Sequence, residues 1–64
     1  MCLSTVYVQT EGQRHEVMQD VAKIVTCDGG YLLIGLLGNQ KKVDGRIHKI
    51  DFVDEHSVIL EAEG

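Results

Sequence analysis

Proline is absent from the 64 residues, so no proline-rich linker divides the chain, and its punctuation falls to glycine. Two cysteines, Cys2 and Cys27, are too few to read as a disulfide framework, and in a reducing compartment both stay thiols. The longest apolar run, residues 31–37, is seven positions including Gly35, far below the ~20 that a membrane helix needs. No basic start followed by an apolar stretch opens the chain, so no secretory signal is visible and a cytoplasmic location is expected. Cations are scarce as well: six Lys and Arg stand against ten Asp and Glu, a formal charge of -4. That balance disfavours a phosphate backbone, which cationic side chains would have to neutralise, and makes nucleic acid an unexpected partner. There is no serine-nucleophile motif, no glycine-rich phosphate loop and no closely spaced cysteine pair, so most familiar enzyme classes drop out.

What is present is an apolar share of 44% in a chain with room for one small domain over residues 1–64. Ordering such a chain costs ~1.5 kcal/mol per residue, roughly 100 kcal/mol in all, and burial must offset nearly all of it. The margin is thin, which makes a bound metal or a partner subunit a relevant source of stability.

Breaks fall at Glu11-Gly12, Asp28-Gly29-Gly30, Gly38-Asn39, Asp44-Gly45 and the polar Asp54-Glu55-His56. Between them lie short segments rich in Val, Ile, Leu, Tyr and Thr, which suit a pleated, half-buried surface. The pattern predicts strands over residues 2–8, 14–18, 21–27, 31–37, 40–43, 46–53 and 57–62. Asp28-Gly29-Gly30 supplies the strongest hairpin signal, because glycine accepts the positive φ of a tight turn. Gly35, inside a strand segment, predicts a bulge or sharp bend. A helix over residues 16–25 is the competing reading, but Val21, Ile24, Val25 and Thr26 are β-branched and favour a strand. The expected class is all-β, a barrel or sandwich of about six to seven short strands.

Tyr31-Leu32-Leu33-Ile34 is apolar on both sides of its pleat, so both sides must be covered. An exposed stripe of that kind invites association, and a homodimer is expected. Val58-Ile59-Leu60 makes the same argument more weakly.

Chemistry concentrates at the chain start. Cys2 places a thiol beside backbone nitrogens and, on loss of Met1, beside a free amine. Nitrogen with soft thiolate suits Ni(II) or Cu(II), whereas sulfur-rich tetrahedral sites suit zinc. One chain offers few such donors, and a two-fold axis near the N-termini would double them. Spacing alone specifies no second ligand, and on that basis the favoured reading of Cys2 is a strand-end cysteine without a role. Cys27 is expected to be buried as a small apolar residue. His15, His48 and His56 are scattered and read as surface residues, and Ser4 and Ser57 as ordinary strand polar residues. Lys41, Lys42, Arg46 and Lys49 lie close in sequence, but Asp44 and Asp51 intervene, so the stretch reads as a solvated mixed-charge face.

Met1-Cys2-Leu3, Val17-Met18 with Asp20-Val21, Gly45-Arg46-Ile47, Lys49-Ile50-Asp51-Phe52 and Ile59-Leu60 together form a combination that resembles the CooT family of small nickel-binding proteins. The resemblance implies a small SH3-like β-barrel that forms a homodimer, with the cysteine after the initiator methionine as the nickel ligand. Cys2 occupies that position. It further implies a non-enzymatic carrier linked to nickel delivery during maturation of carbon monoxide dehydrogenase, with that nickel enzyme or its maturation machinery as partner. Asp20, Gly45, Ile50 and Asp51 match the pattern as structural residues. The alternative is a small-barrel RNA- or protein-binding module without a metal, since the family is also catalogued as predicted RNA-binding proteins.

Overall fold

A computed structural model describes residues 3–62. Met1 and Cys2, and with Cys2 the first position of the strand expected over residues 2–8, lie outside the described residues. The fold is all-β, with strands β1 (Ser4–Thr10), β2 (Gln13–Cys27), β3 (Gly30–Gly35), β4 (Gln40–Asp44), β5 (Arg46–Asp51) and β6 (Ser57–Glu61). The β-branched segment weighed as a helix is strand throughout, and the strands expected over 14–18 and 21–27 merge into the single fifteen-residue β2.

The six strands form one sheet in the order β4-β3-β2-β1-β6-β5. Neighbours run antiparallel except β1 and β6, which are parallel and pair from Thr5↔Ser57 to Gln9↔Glu61. Among the described residues no ladder joins β4 to β5, so the sheet has two free ends and is not the closed barrel expected from the sequence. It nevertheless builds an interior. Val6, Leu33 and Leu60 are each 0% exposed, and with Val21 and Val58 they form one cluster drawn from β1, β2, β3 and β6. A flat single layer would leave one face of each strand wet, so complete burial requires the sheet to curl over its own inner face.

Bulges supply the curl. Register slips fall on either side of Val6 in the β1–β2 ladder, between Val21 and Lys23 in β2, and between Ile47 and Lys49 in β5. An extra residue bends a strand and raises its local twist. At the β2 slip, Val21 pairs with Gly35 and Lys23 with Ile34, so Ala22 is the inserted residue. Gly35 thus sits at the irregularity that its position in the sequence suggests, although the additional residue belongs to the opposite strand.

Val58, Ile59 and Leu60 are all buried within the chain, because β6 lies between β1 and β5 and is covered on both faces. In the Tyr31–Ile34 run only Leu33 is fully buried, and the other three are half-buried. Outside the sheet, the Arg14 guanidinium lies 5.4 Å above the Tyr7 ring and reaches Glu55 at 3.8 Å, linking β2 to the β5–β6 loop.

Candidate functional site

The described path to the chain start ends at Leu3 and Ser4, the residues that carry Cys2 into β1. Ser4 is held across from Val21, and the next amide, that of Thr5, donates to the His56 carbonyl at 3.0 Å. The start of β1 is therefore fixed from both sides, by β2 and by the turn that leads into β6. Beside it lies a groove of about 210 Å³ lined by Ser4, Lys23, Ile24, Ile50, Phe52 and Val58 among others. Two of these apolar residues are wet: Ile50 is 43% and Phe52 67% exposed. Lys23 is the one charged residue in the lining. This groove joins β2 to the far end of β5, a pairing that only the curled sheet brings about and that no local sequence pattern announces.

The remaining candidate donors are dispersed. Cys27 is exposed, which corrects the expectation of burial. It ends β2 at the tip of a hairpin, and its cross-strand partner Gly30 has no side chain to cover it. His48 is the inserted residue of the β5 bulge, and its Nδ1 lies 2.8 Å from Glu61 Oε1 with both side chains about half exposed. His15 is exposed on β2, and His56 occupies a left-handed turn position with φ of 51°. Among the described residues no group of three or more His, Cys, Asp or Glu is placed to hold a metal ion.

The cationic stretch does not gather into a patch. Lys41 and Lys42 are on β4 and Arg46 and Lys49 on β5, the two opposite ends of the sheet order. Lys42 Nζ donates to Asp44 Oδ1 at 2.8 Å, and that hydrogen bond raises the lysine above its ordinary range. Asp51 accepts from the amides of Val53 and Asp54, both at 2.9 Å, and these bonds hold its carboxyl below the usual carboxylate range. The single mixed-charge face expected from the sequence is thus divided between the two ends of the sheet order. No helix of the described chain is long and apolar enough to cross a membrane.

The family model of the CO dehydrogenase accessory protein CooT matches residues 1–61. Among solved structures, the crystal structure of a protein assigned as CooT from Carboxydothermus hydrogenoformans is similar at 24% identity with a TM-score of 0.88. The match covers 98% of this chain and 100% of that one, which establishes a shared fold. No curated protein matches.

Proposed function

The chain belongs to the CooT family of CO dehydrogenase accessory proteins, and from that premise we propose that it is a cytoplasmic homodimer that carries Ni(II) on Cys2. Its role is that of an accessory to the enzyme, not of a catalyst. The observation that carries the reading is the extent of the family match, which begins at residue 1 and so takes in the Met1-Cys2 start. Nickel is cargo here, delivered during maturation of the enzyme.

Donor chemistry supports the choice of metal. The thiolate of Cys2 and nitrogens of the adjoining backbone close small chelate rings, and that combination of soft sulfur with nitrogen suits a planar Ni(II) centre. The shortage of clustered donors in the rest of the described chain supports a second copy as the source of the remaining ligands. So does the wet apolar wall of Ile50 and Phe52 beside Ser4. Cys2 lies within about 7 Å of Ser4 along the chain, and two sulfurs bound to one metal are only a few ångströms apart. A two-fold contact on this face satisfies both limits.

The test is a nickel titration of the wild type against Cys2→Ser, followed by calorimetry and by the thiolate-to-nickel absorption band. The wild type takes up one nickel per dimer and the variant loses both the tight phase and the band. Equal affinity in the two proteins overturns the reading. Mass spectrometry under non-denaturing conditions reports subunit count, metal stoichiometry and retention of Met1 in one spectrum.

A further inference from the structure

We propose that the Leu36-Leu37 turn, with the carboxylate of Asp20 beside it, is the surface by which the protein docks onto its client enzyme. The two leucines enter an apolar cleft of the partner, and Asp20 meets a Lys or Arg at the rim of that cleft. This contact presupposes the accessory role proposed above and gives it a place on the molecule.

The turn is an unusual place for these side chains. The Gly38 amide donates to the Gly35 carbonyl at 3.0 Å, closing a four-residue turn with Leu36 and Leu37 at its two central positions. Such positions favour Pro, Asp, Asn, Ser and Gly. Leu37 is 92% and Leu36 50% exposed, and neither belongs to the core cluster or to the residues packed on it. One wet leucine is ordinary on a protein surface, but two in succession form a patch, and apolar patches mark sites of contact.

The turn is also braced. The Leu36 amide donates to the Asp20 carbonyl at 3.0 Å and the Gly35 amide to the Asn39 carbonyl at 2.8 Å, which ties the turn to β2 on one side and to the approach to β4 on the other. A side chain at Gly35 would collide with the side-chain amide of Asn39, so the packing there is close. A surface fixed in advance loses little freedom on docking, and the burial of its leucines then counts more fully toward affinity.

Charge selects the occupant. Asp20, Gln19 and Asn39 share with the two leucines a hollow of about 230 Å³. Gln19 Nε2 donates to Glu16 Oε2 at 3.1 Å, which brings a second carboxylate to its border. Among the described residues the Asp20 carboxylate forms no hydrogen bond or ion pair, whereas Asp44, Asp51 and Glu55 are each engaged. Leucines flanked by carboxylates, on a chain of formal charge -4, are repelled by an anionic lipid surface and by a second copy presenting the same face. They match a protein cleft with a cationic rim. None of these residues lines the groove beside Ser4, so the enzyme and the two-fold partner use different surfaces.

The experiment is surface plasmon resonance of the full chain against nickel-free CO dehydrogenase at low and high salt, with wild type, Leu37→Ser, Asp20→Asn and, as a control, Val25→Thr, an exposed apolar position outside the hollow. Asparagine keeps the left-handed backbone of position 20, and thermal melts establish that each variant is folded. Leu37→Ser weakens binding about tenfold or more. Asp20→Asn weakens it about two- to fivefold at low salt and reduces the salt dependence. Val25→Thr stays within about twofold of the wild type, the scatter expected of a surface change away from the contact. A wild type that does not bind the enzyme, or a Leu37→Ser variant that binds it as tightly as the wild type, overturns the proposal and leaves nickel binding by Cys2 intact. Equal nickel affinity of wild type and Cys2→Ser removes instead the reading on which the contact rests. Flotation of the wild type but not of Leu37→Ser with phosphatidylserine vesicles also overturns the proposal, because the leucines then serve a bilayer. So does a lower subunit count for Leu37→Ser in non-denaturing mass spectrometry, because they then serve a second copy.

Discussion

The Leu36 amide donates to the Asp20 carbonyl at 3.0 Å, and Asp20 holds a left-handed backbone, φ 53°, in the middle of the longest strand. Asp is among the few non-glycine residues that tolerate this region, and β-branched residues do not. Asp20→Gly is therefore neutral or stabilising, and Asp20→Val costs about 1–2 kcal/mol or more. Urea unfolding of the two variants should give midpoints on opposite sides of, or level with and below, the wild type.

Leu60 is 0% exposed, and Leu37 at the β3–β4 turn is 92% exposed. Truncating a buried leucine to alanine costs ~2–5 kcal/mol, which is comparable with the entire stability of a domain this small. Leu60→Ala is accordingly largely unfolded by amide dispersion in NMR spectra, while Leu37→Ala stays within about 0.5 kcal/mol of the wild type.

Gly45 combines φ of 131° with a close approach: a Cβ there would sit 2.5 Å from the Glu61 carbonyl oxygen. The obstacle is backbone, which cannot rotate away. Gly12 also has a positive φ, 78°, but a Cβ would meet nothing within 4 Å. Gly45→Ala should lower the thermal midpoint well below that of Gly12→Ala.

Asp51 accepts two backbone hydrogen bonds in the folded state, so its folded-state pKa lies below the unfolded one. The stability it contributes is present above the unfolded value of ~3.9 and is lost as pH falls through the folded value. Asp51→Asn flattens the acid limb of a stability-against-pH curve measured by chemical denaturation below about pH 4. An unchanged acid limb would show that the turn does not discriminate between the charged and neutral forms.

Cys27 is exposed at a hairpin tip and should react with a disulfide reagent in the native protein. Cys27→Ser removes that reaction and leaves nickel stoichiometry unchanged, since Cys27 contributes to no cluster of donors among the described residues. Loss of nickel in this variant would move the metal away from the chain start.

The strands were legible because glycine breaks and β-branched segments alternate so regularly, and five of the six observed strands fall close to their expected places. The exception is instructive. The strands expected over residues 14–18 and 21–27 leave Gln19-Asp20 between them, yet β2 runs through it, since Asp20 absorbs the bend in its own backbone and hands its carbonyl to Leu36. A local pattern cannot distinguish a strand that ends from one that bends. Cys27 was misplaced for a related reason: its type favours burial, but its neighbour across the hairpin is a glycine with nothing to bury it under. Family membership was legible in the combination of short motifs. The groove beside Ser4 was not, because it needs β2 and β5, which are far apart in sequence and meet only once the sheet has curled.

The parallel pairing of β1 with β6 has a bearing on biosynthesis. A nascent chain that has not yet released Ser57–Glu61 from the ribosome carries β1 with one side of its backbone unmatched and β5 with no neighbour at all. The first and last strands of the sheet must meet before the interior is sealed, so a chain that stops short of β6 exposes a ready template for misassembly.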